Sequence, residues 1–150
     1  MGMDMTIAIA CDHGAYALKE KVKGWLQEAG YQVRDFGCNS AESVDYPDHA
    51  LPAAEAVASG AADRAVLVCT TGIGVSICAN KVRGVRCALC ADTMTARMTR
   101  EHNDTNALAM GAGVVGENLA KEILFTWLDT PFSGAARHQR RIDKISAYES

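Results

Sequence analysis

The sequence predicts a doubly wound α/β fold, a five-stranded parallel sheet with helices on both faces in three α/β/α layers. Three observations carry that reading. Short apolar, β-branched runs of strand length recur along the chain; segments with helical spacing of apolar residues separate them; no linker, repeat or low-complexity stretch divides them. The expected topology is Rossmann-like, with residues 1–150 forming one domain.

Thr6 to Ala10 is the first strand and ends at Cys11-Asp12-His13-Gly14. A helix follows, because Leu18, Val22, Trp25, Leu26 and Ala29 fall on one face and Gly30 supplies a stop. Tyr31 to Phe36 alternates and breaks at Gly37, as a second strand does. Tyr46-Pro47-Asp48 then opens a helix carrying Ala50, Ala54, Val57 and Ala58 to Gly60. Ala65 to Cys69 is strand three, with a helix from about Gly74 to Asn80. Gly84 to Ala91 is strand four, and Asp92 or Thr93 caps the next helix. Ala107 to Val115 is strand five. Two helices close the chain: one buries Leu119, Ile123, Leu124 and Trp127, and the other, about 133–147, carries Ile142 and Ile145.

The bulk numbers narrow the function. With 49% apolar and 22% charged residues and a net charge of −3, the chain has the balance of a soluble globular protein, wrong for a general nucleic-acid binder. No apolar stretch approaches the ~20 residues that span a bilayer. The start lacks the basic segment of a signal peptide, so a cytoplasmic protein without membrane partners is expected. The six cysteines sit mostly inside apolar runs, where free cysteine packs as a small hydrophobe, and no disulfide framework is expected.

Ligands of such sheets collect outside the carboxyl ends of the strands, near the point where strand order reverses. Asp12 and His13 end strand one, Asp45 and Tyr46 lie after strand two, and Cys69, Thr70 and Thr71 end strand three. All three segments are expected on one rim. Thr70-Thr71-Gly72-Ile73-Gly74 would aim backbone amides and a helix N-terminus at one point, which suits an anion or a developing oxyanion. A tight βα turn that needs glycine only for its geometry explains the same residues. The segment matches neither GxGxxG, since position 77 is Ile77, nor a phosphatase Cys-x5-Arg loop, since position 75 is Val75.

Cys69 reads either as packing or as a thiol placed where the helix dipole favours the thiolate, able to act as a base. Cys87-Ala-Leu-Cys90 reads as core, on opposite faces of a strand. His102 either meets a helix C-terminus or does acid–base work. Arg137 and Arg141, four apart on a helix, suit a phosphate or carboxylate, or form a solvated basic face. Paired carboxylates are scarce on the rim, so metal ligands are not expected.

Together these motifs resemble the type B ribose-5-phosphate isomerases, a family that includes the galactose-6-phosphate isomerase subunits. The resemblance covers nearly the whole chain. It rests on CDHG (11–14), SVDYPD (43–48), CTTGIG continuing to Lys81 (69–81), GVR (84–86), EHNDTNALAMG (101–111) and ARHQRRI (136–142). It implies an aldose–ketose isomerase that interconverts ribose 5-phosphate and ribulose 5-phosphate through an enediolate, with no metal and no cofactor. It implies a homodimer or tetramer with sites between subunits, the last helix packing on a partner.

By the same resemblance Cys69 is the base, His102 the proton donor for ring opening, and Thr71 a further group at the reacting centre. Asp12, His13, Asp45, Tyr46, Thr70, Gly72, Ile73, Gly74 and Asn103 bind substrate, and Arg137 and Arg141 bind its phosphate. Two positions depart from the family pattern: Gly113 stands where arginine is common, and Thr70 where glycine is. A tetrose phosphate, galactose 6-phosphate or a free sugar therefore stays open as substrate. So does a non-enzymatic, flavodoxin-like anion-binding module.

Overall fold

A strand covered on both faces must be apolar at nearly every position, and three segments meet that condition and form the centre of the sheet. The structure, a computed structural model, describes residues 4–149. In chain order the elements are β1 (Thr6–Cys11), a 3-10 turn at His13–Ala15, α1 (Tyr16–Glu28), β2 (Gln32–Asp35), α2 (Pro47–Ala58), β3 (Arg64–Cys69), α3 (Ile73–Asn80), β4 (Cys87–Leu89), α4 (Thr93–Asn103), β5 (Ala107–Gly111), α5 (Glu117–Asp129) and α6 (Ala136–Tyr148). The sheet is parallel throughout with order β2-β1-β3-β5-β4, as the doubly wound reading requires. The chain leaves β1 toward one edge and returns to β3 on the other side, so the switch point lies between β1 and β3. Among the described residues no helix is long and apolar enough to cross a membrane.

The two faces of the sheet carry different side chains. Ile7, Ile9, Val66, Val68, Leu108 and Met110 point into one core, filled from α1, α4 and α5 by Val22, Leu26, Ala96, Ile123, Leu124 and Trp127. Ala8, Ala10, Ala65, Leu67, Ala107 and Ala109 face the other, where small side chains let α2 and α3 approach closely. Cys69 ends β3 on this second face. Cys87 and Cys90 fall on opposite faces, as their spacing indicated.

Element ends differ from those the sequence predicts by more than one residue in β4, β5 and α6. β4 is confined to Cys87–Leu89 rather than Gly84 to Ala91, because Arg86 N–H is taken by the Asn106 side chain at 2.8 Å and Val85 N–H closes a turn onto Val82. β5 stops at Gly111 rather than Val115. There the chain leaves the sheet over the end of β3, with Ala112 and Gly113 N–H donating to the Cys69 and Thr70 carbonyls at 2.8 Å each. α6 begins at Ala136, and Ser133 instead braces its approach by accepting from Ala135 N–H at 3.1 Å. For α4 the cap is Asp92, whose carboxylate accepts from Thr95 N–H at 2.7 Å.

Lys19 was not legible as a core residue, yet it is 1% exposed. Its ammonium donates to Asp35 Oδ2 at 2.7 Å and to the Cys38 carbonyl at 2.8 Å, tying α1 to the end of β2. Burial pulls the Lys19 pKa down, but the bonds to Asp35 and Glu20 outweigh it and hold it above its ordinary value. Burial likewise pushes the Asp35 carboxyl up, while Lys19, the Gly37 amide and Lys23 hold it below the usual range. The stabilisation linked to Asp35 is thus present above its unfolded pKa of about 3.9 and is lost as pH falls through the lower folded value. Lys19→Met is expected to cost about 2 kcal/mol at neutral pH by removing the buried partner of a half-buried carboxylate that Lys23 and the Gly37 amide still reach. In urea titrations across pH, the gap from wild type should begin to narrow near pH 4 and go on closing below it, as pH falls through the lowered folded value.

Candidate active site

The site follows from what β1 and β3 do at their carboxyl ends. Asp12 N–H donates to the Val68 carbonyl at 3.3 Å, so the first residues past β1 stay alongside β3. After Cys69 the chain must reverse into α3 within three residues. Gly72 does this at φ +80°, where a Cβ would also lie 2.5 Å from Leu89 and 2.8 Å from the backbone of Met110. The reversal brings Gly72 N–H to 3.1 Å from Cys69 Sγ, and Thr71 Oγ1 accepts from Ile73 N–H at 3.2 Å. An amide aimed at sulfur, at the positive end of a helix, stabilises negative charge there.

The neighbouring segments close around this turn. A Cβ on Gly14 would lie 2.5 Å from Thr70 Oγ1, and one on Gly74 would lie 2.5 Å from the Tyr46 ring. Val44 N–H donates to His13 Nδ1 at 3.1 Å, which leaves Nε2 to carry the ring proton toward a ligand. Asp12 Oδ1 is shielded from solvent and has no hydrogen-bond partner among the described residues. A buried acceptor of this kind is costly unless a ligand hydroxyl satisfies it. Asp45, exposed, turns the chain into α2 through its carbonyl, which accepts from Asp48 N–H at 3.1 Å. Asp12, His13, Tyr46 and Thr70 to Gly74 thus meet Cys69 on one rim.

His102, Asn103, Arg137 and Arg141 do not join them within one chain. α4 runs back from the carboxyl rim, so its last turn lies at the amino ends of the strands. The Asn103 carbonyl accepts from Arg86 Nε at 2.9 Å, just ahead of β4. From there β5 climbs from the level of Ala65 to that of Cys69, roughly 13 Å of strand. α6 sits at this far end too, with Ser133 N–H donating to the Glu101 carbonyl at 3.2 Å. Arg137 and Arg141 are exposed on it. The two groups of candidate residues therefore lie at opposite ends of a single chain. His138, which the sequence reading left inside a basic run, is 6% exposed and lies against His102.

An α/β protein whose switch point presents a thiol, a glycine turn and an unsatisfied carboxylate oxygen belongs to the class of doubly wound proteins that bind polar ligands at that rim. Comparison with known proteins narrows the class. Residues 7–145 match the model of the ribose/galactose isomerase family. The ribose-5-phosphate isomerase B of Escherichia coli is 46% identical over 95% of each chain. The D-erythrulose-4-phosphate isomerase of Pectobacterium atrosepticum is 41% identical over 97% of this chain and 95% of its own. The solved structure of Clostridium thermocellum ribose-5-phosphate isomerase B superposes with a TM-score of 0.95 at 52% identity, covering 97% of both chains. The chain belongs to the ribose/galactose isomerase family and is an aldose–ketose isomerase acting on a sugar phosphate. The reading as a non-enzymatic binding module is thereby set aside.

Proposed function

We propose that the protein interconverts ribose 5-phosphate and ribulose 5-phosphate through an enediolate, with Cys69 as the base. The observation that carries this reading is the Cys69 sulfur at the switch point, 3.1 Å from the Gly72 amide. The thiolate takes the C2 proton, and the C2–H electron pair becomes the C1=C2 bond. Negative charge moves to O1, where the positive end of the α3 dipole stabilises it without a full positive charge. The thiol then returns its proton to C1 while the O2 hydroxyl proton passes to O1, leaving the ketose. Thr71, whose oxygen accepts from Ile73 N–H, keeps its own hydroxyl proton to donate to the reacting oxygens. Asp12 Oδ1 accepts from a sugar hydroxyl, and His13 and Tyr46 line the approach.

A second copy supplies the remaining half: His102 as ring-opening donor, Asn103 against the sugar, and Arg137 with Arg141 on the phosphate. Supporting this is an exposed apolar group at the rim, with Ile73, Ile77, Leu89 and Met94 each 44–59% exposed beside the half-site. Exposed apolar side chains on neighbouring elements suit a contact between copies.

One observation favours a second reading, a shorter phosphosugar. Thr70 extends a hydroxyl toward Gly14 and a methyl toward Gly113, 3.2 Å from where that residue's Cβ would be, so the loop is bulkier than a glycine would leave it. Gly113 also supplies no cation. A panel of four-, five- and six-carbon sugars, with and without phosphate, separates the readings by kcat/KM. Ribose 5-phosphate is expected to rank first; preference for a four-carbon phosphate selects the second reading, and preference for a free sugar overturns both.

A further inference from the structure

His138 is held too firmly for a member of a solvated basic run. Its α6 neighbours Arg137, Gln139, Arg140 and Arg141 are exposed, yet its own ring is 6% exposed. Ser133 Oγ lies 2.7 Å from His138 Nδ1. That same oxygen accepts from Ala135 N–H at 3.1 Å, and Ser133 N–H donates to the Glu101 carbonyl at 3.2 Å, so the hydroxyl is anchored to the last turn of α4. On the other side of the ring lies His102, with centroids 4.3 Å apart and planes inclined by 36°.

The charged groups around His138 are Arg137 and Arg141 on its own helix and His102 and Glu101 on α4. Burial, then His102 and the two guanidinium groups, push its pKa below the ordinary value, against the pull of Glu101. At neutral pH an uncharged ring therefore lies under His102. The ring packed against His102 therefore places no like charge beside it.

We propose that His138 is the positioning residue for His102, a fixed imidazole that sets the plane of the His102 ring and so aims its proton at the furanose oxygen. The inference rests on the reading of His102 as ring-opening donor. In that step the C1–O4 bond breaks with its electron pair going to O4, which takes the proton from His102. The O1–H pair becomes the C1 carbonyl, and the O1 proton passes to water. Misplacing the donor by about 1 Å costs on the order of 10²-fold.

Ribose 5-phosphate is cyclic and needs the ring opened, whereas ribulose 5-phosphate, esterified at O5, cannot close a furanose. His138→Ala is expected to lower kcat on ribose 5-phosphate by roughly 10- to 100-fold. It should leave the exchange of C1 hydrogen of ribulose 5-phosphate with deuterated water, followed by NMR, within about twofold of wild type. His138→Gln, which can still bond Ser133 but has no ring, should show the same split; His138→Phe, which restores a flat ring, should recover most of the loss. Equal losses in both assays, or none in either, would overturn the proposal. His102→Ala run alongside separates the two ideas. If it too loses both assays equally, the ring-opening reading falls and this inference with it; if it shows the split and the His138 variants do not, only this inference falls.

Discussion

Cys69→Ala is expected to lower isomerisation of ribose 5-phosphate by about 10³-fold or more, within the range that removal of a general base produces. Solvent deuterium should no longer enter C2 of the aldose. The loss is chemical rather than structural on two grounds. Cys69 ends its strand against small side chains on the alanine-rich face, so removing sulfur leaves little void. Its backbone role, accepting from Ala112 N–H at 2.8 Å, survives any side chain. Cys69→Ser sharpens the test. A serine oxygen still offers an acceptor to the Gly72 amide, so the turn keeps its geometry, but an alkoxide is not available near neutral pH. It should be as inactive as the alanine variant while unfolding at the same urea concentration as wild type. If either variant isomerises within tenfold of wild type, the base lies elsewhere.

The centre of the molecule was legible because its strands obey one constraint. β1, β3 and β5 are buried on both faces, and continuous apolar runs record that directly. The edges obey different constraints. β4 pairs only with β5, and its entry is decided by the Asn106 side chain on Arg86, a contact 20 residues apart in the chain. The end of β5 depends on where the β3 carbonyls wait for Ala112 and Gly113. Lys19 shows the same limit in the core. One lysine in a helix of alternating charges carries no sign that Asp35 and the Cys38 carbonyl will meet it.

The site divides along the same line. Asp12, His13, Tyr46 and the Cys69–Gly74 turn were legible because strand ends next to a reversal of strand order share a rim, whatever residues occupy them. The other half was not. His102 and Asn103 sit in the last turn of α4 and Arg137 and Arg141 in the first two turns of α6, and only the resemblance joined them to Cys69. Residues that share no strand end or helix face with Cys69 leave no periodicity that joins them to it. His138 was hidden by its neighbours: within Arg137-His138-Gln139-Arg140-Arg141 the buried member is distinguished only by Ser133 and His102, which lie outside that run.

That division makes complementation the sharpest test of the assembled site. Cys69→Ala and His102→Ala should each be nearly inactive alone on ribose 5-phosphate. Unfolded together and refolded as a one-to-one mixture, they should regain roughly a quarter of wild-type activity. About half of randomly paired dimers are mixed, and each mixed dimer holds one site in which both the thiol and the imidazole are intact. Its other site lacks both groups. Were thiol and imidazole drawn from the same chain, every site in the mixture would carry one defect and no activity would return. The roughly 13 Å of β5 between the amino edge near His102 and the level of Cys69 makes the first outcome the expected one. Its dependence on refolding adds a control, because the two variants mixed without unfolding should stay inactive for as long as their dimers do not exchange.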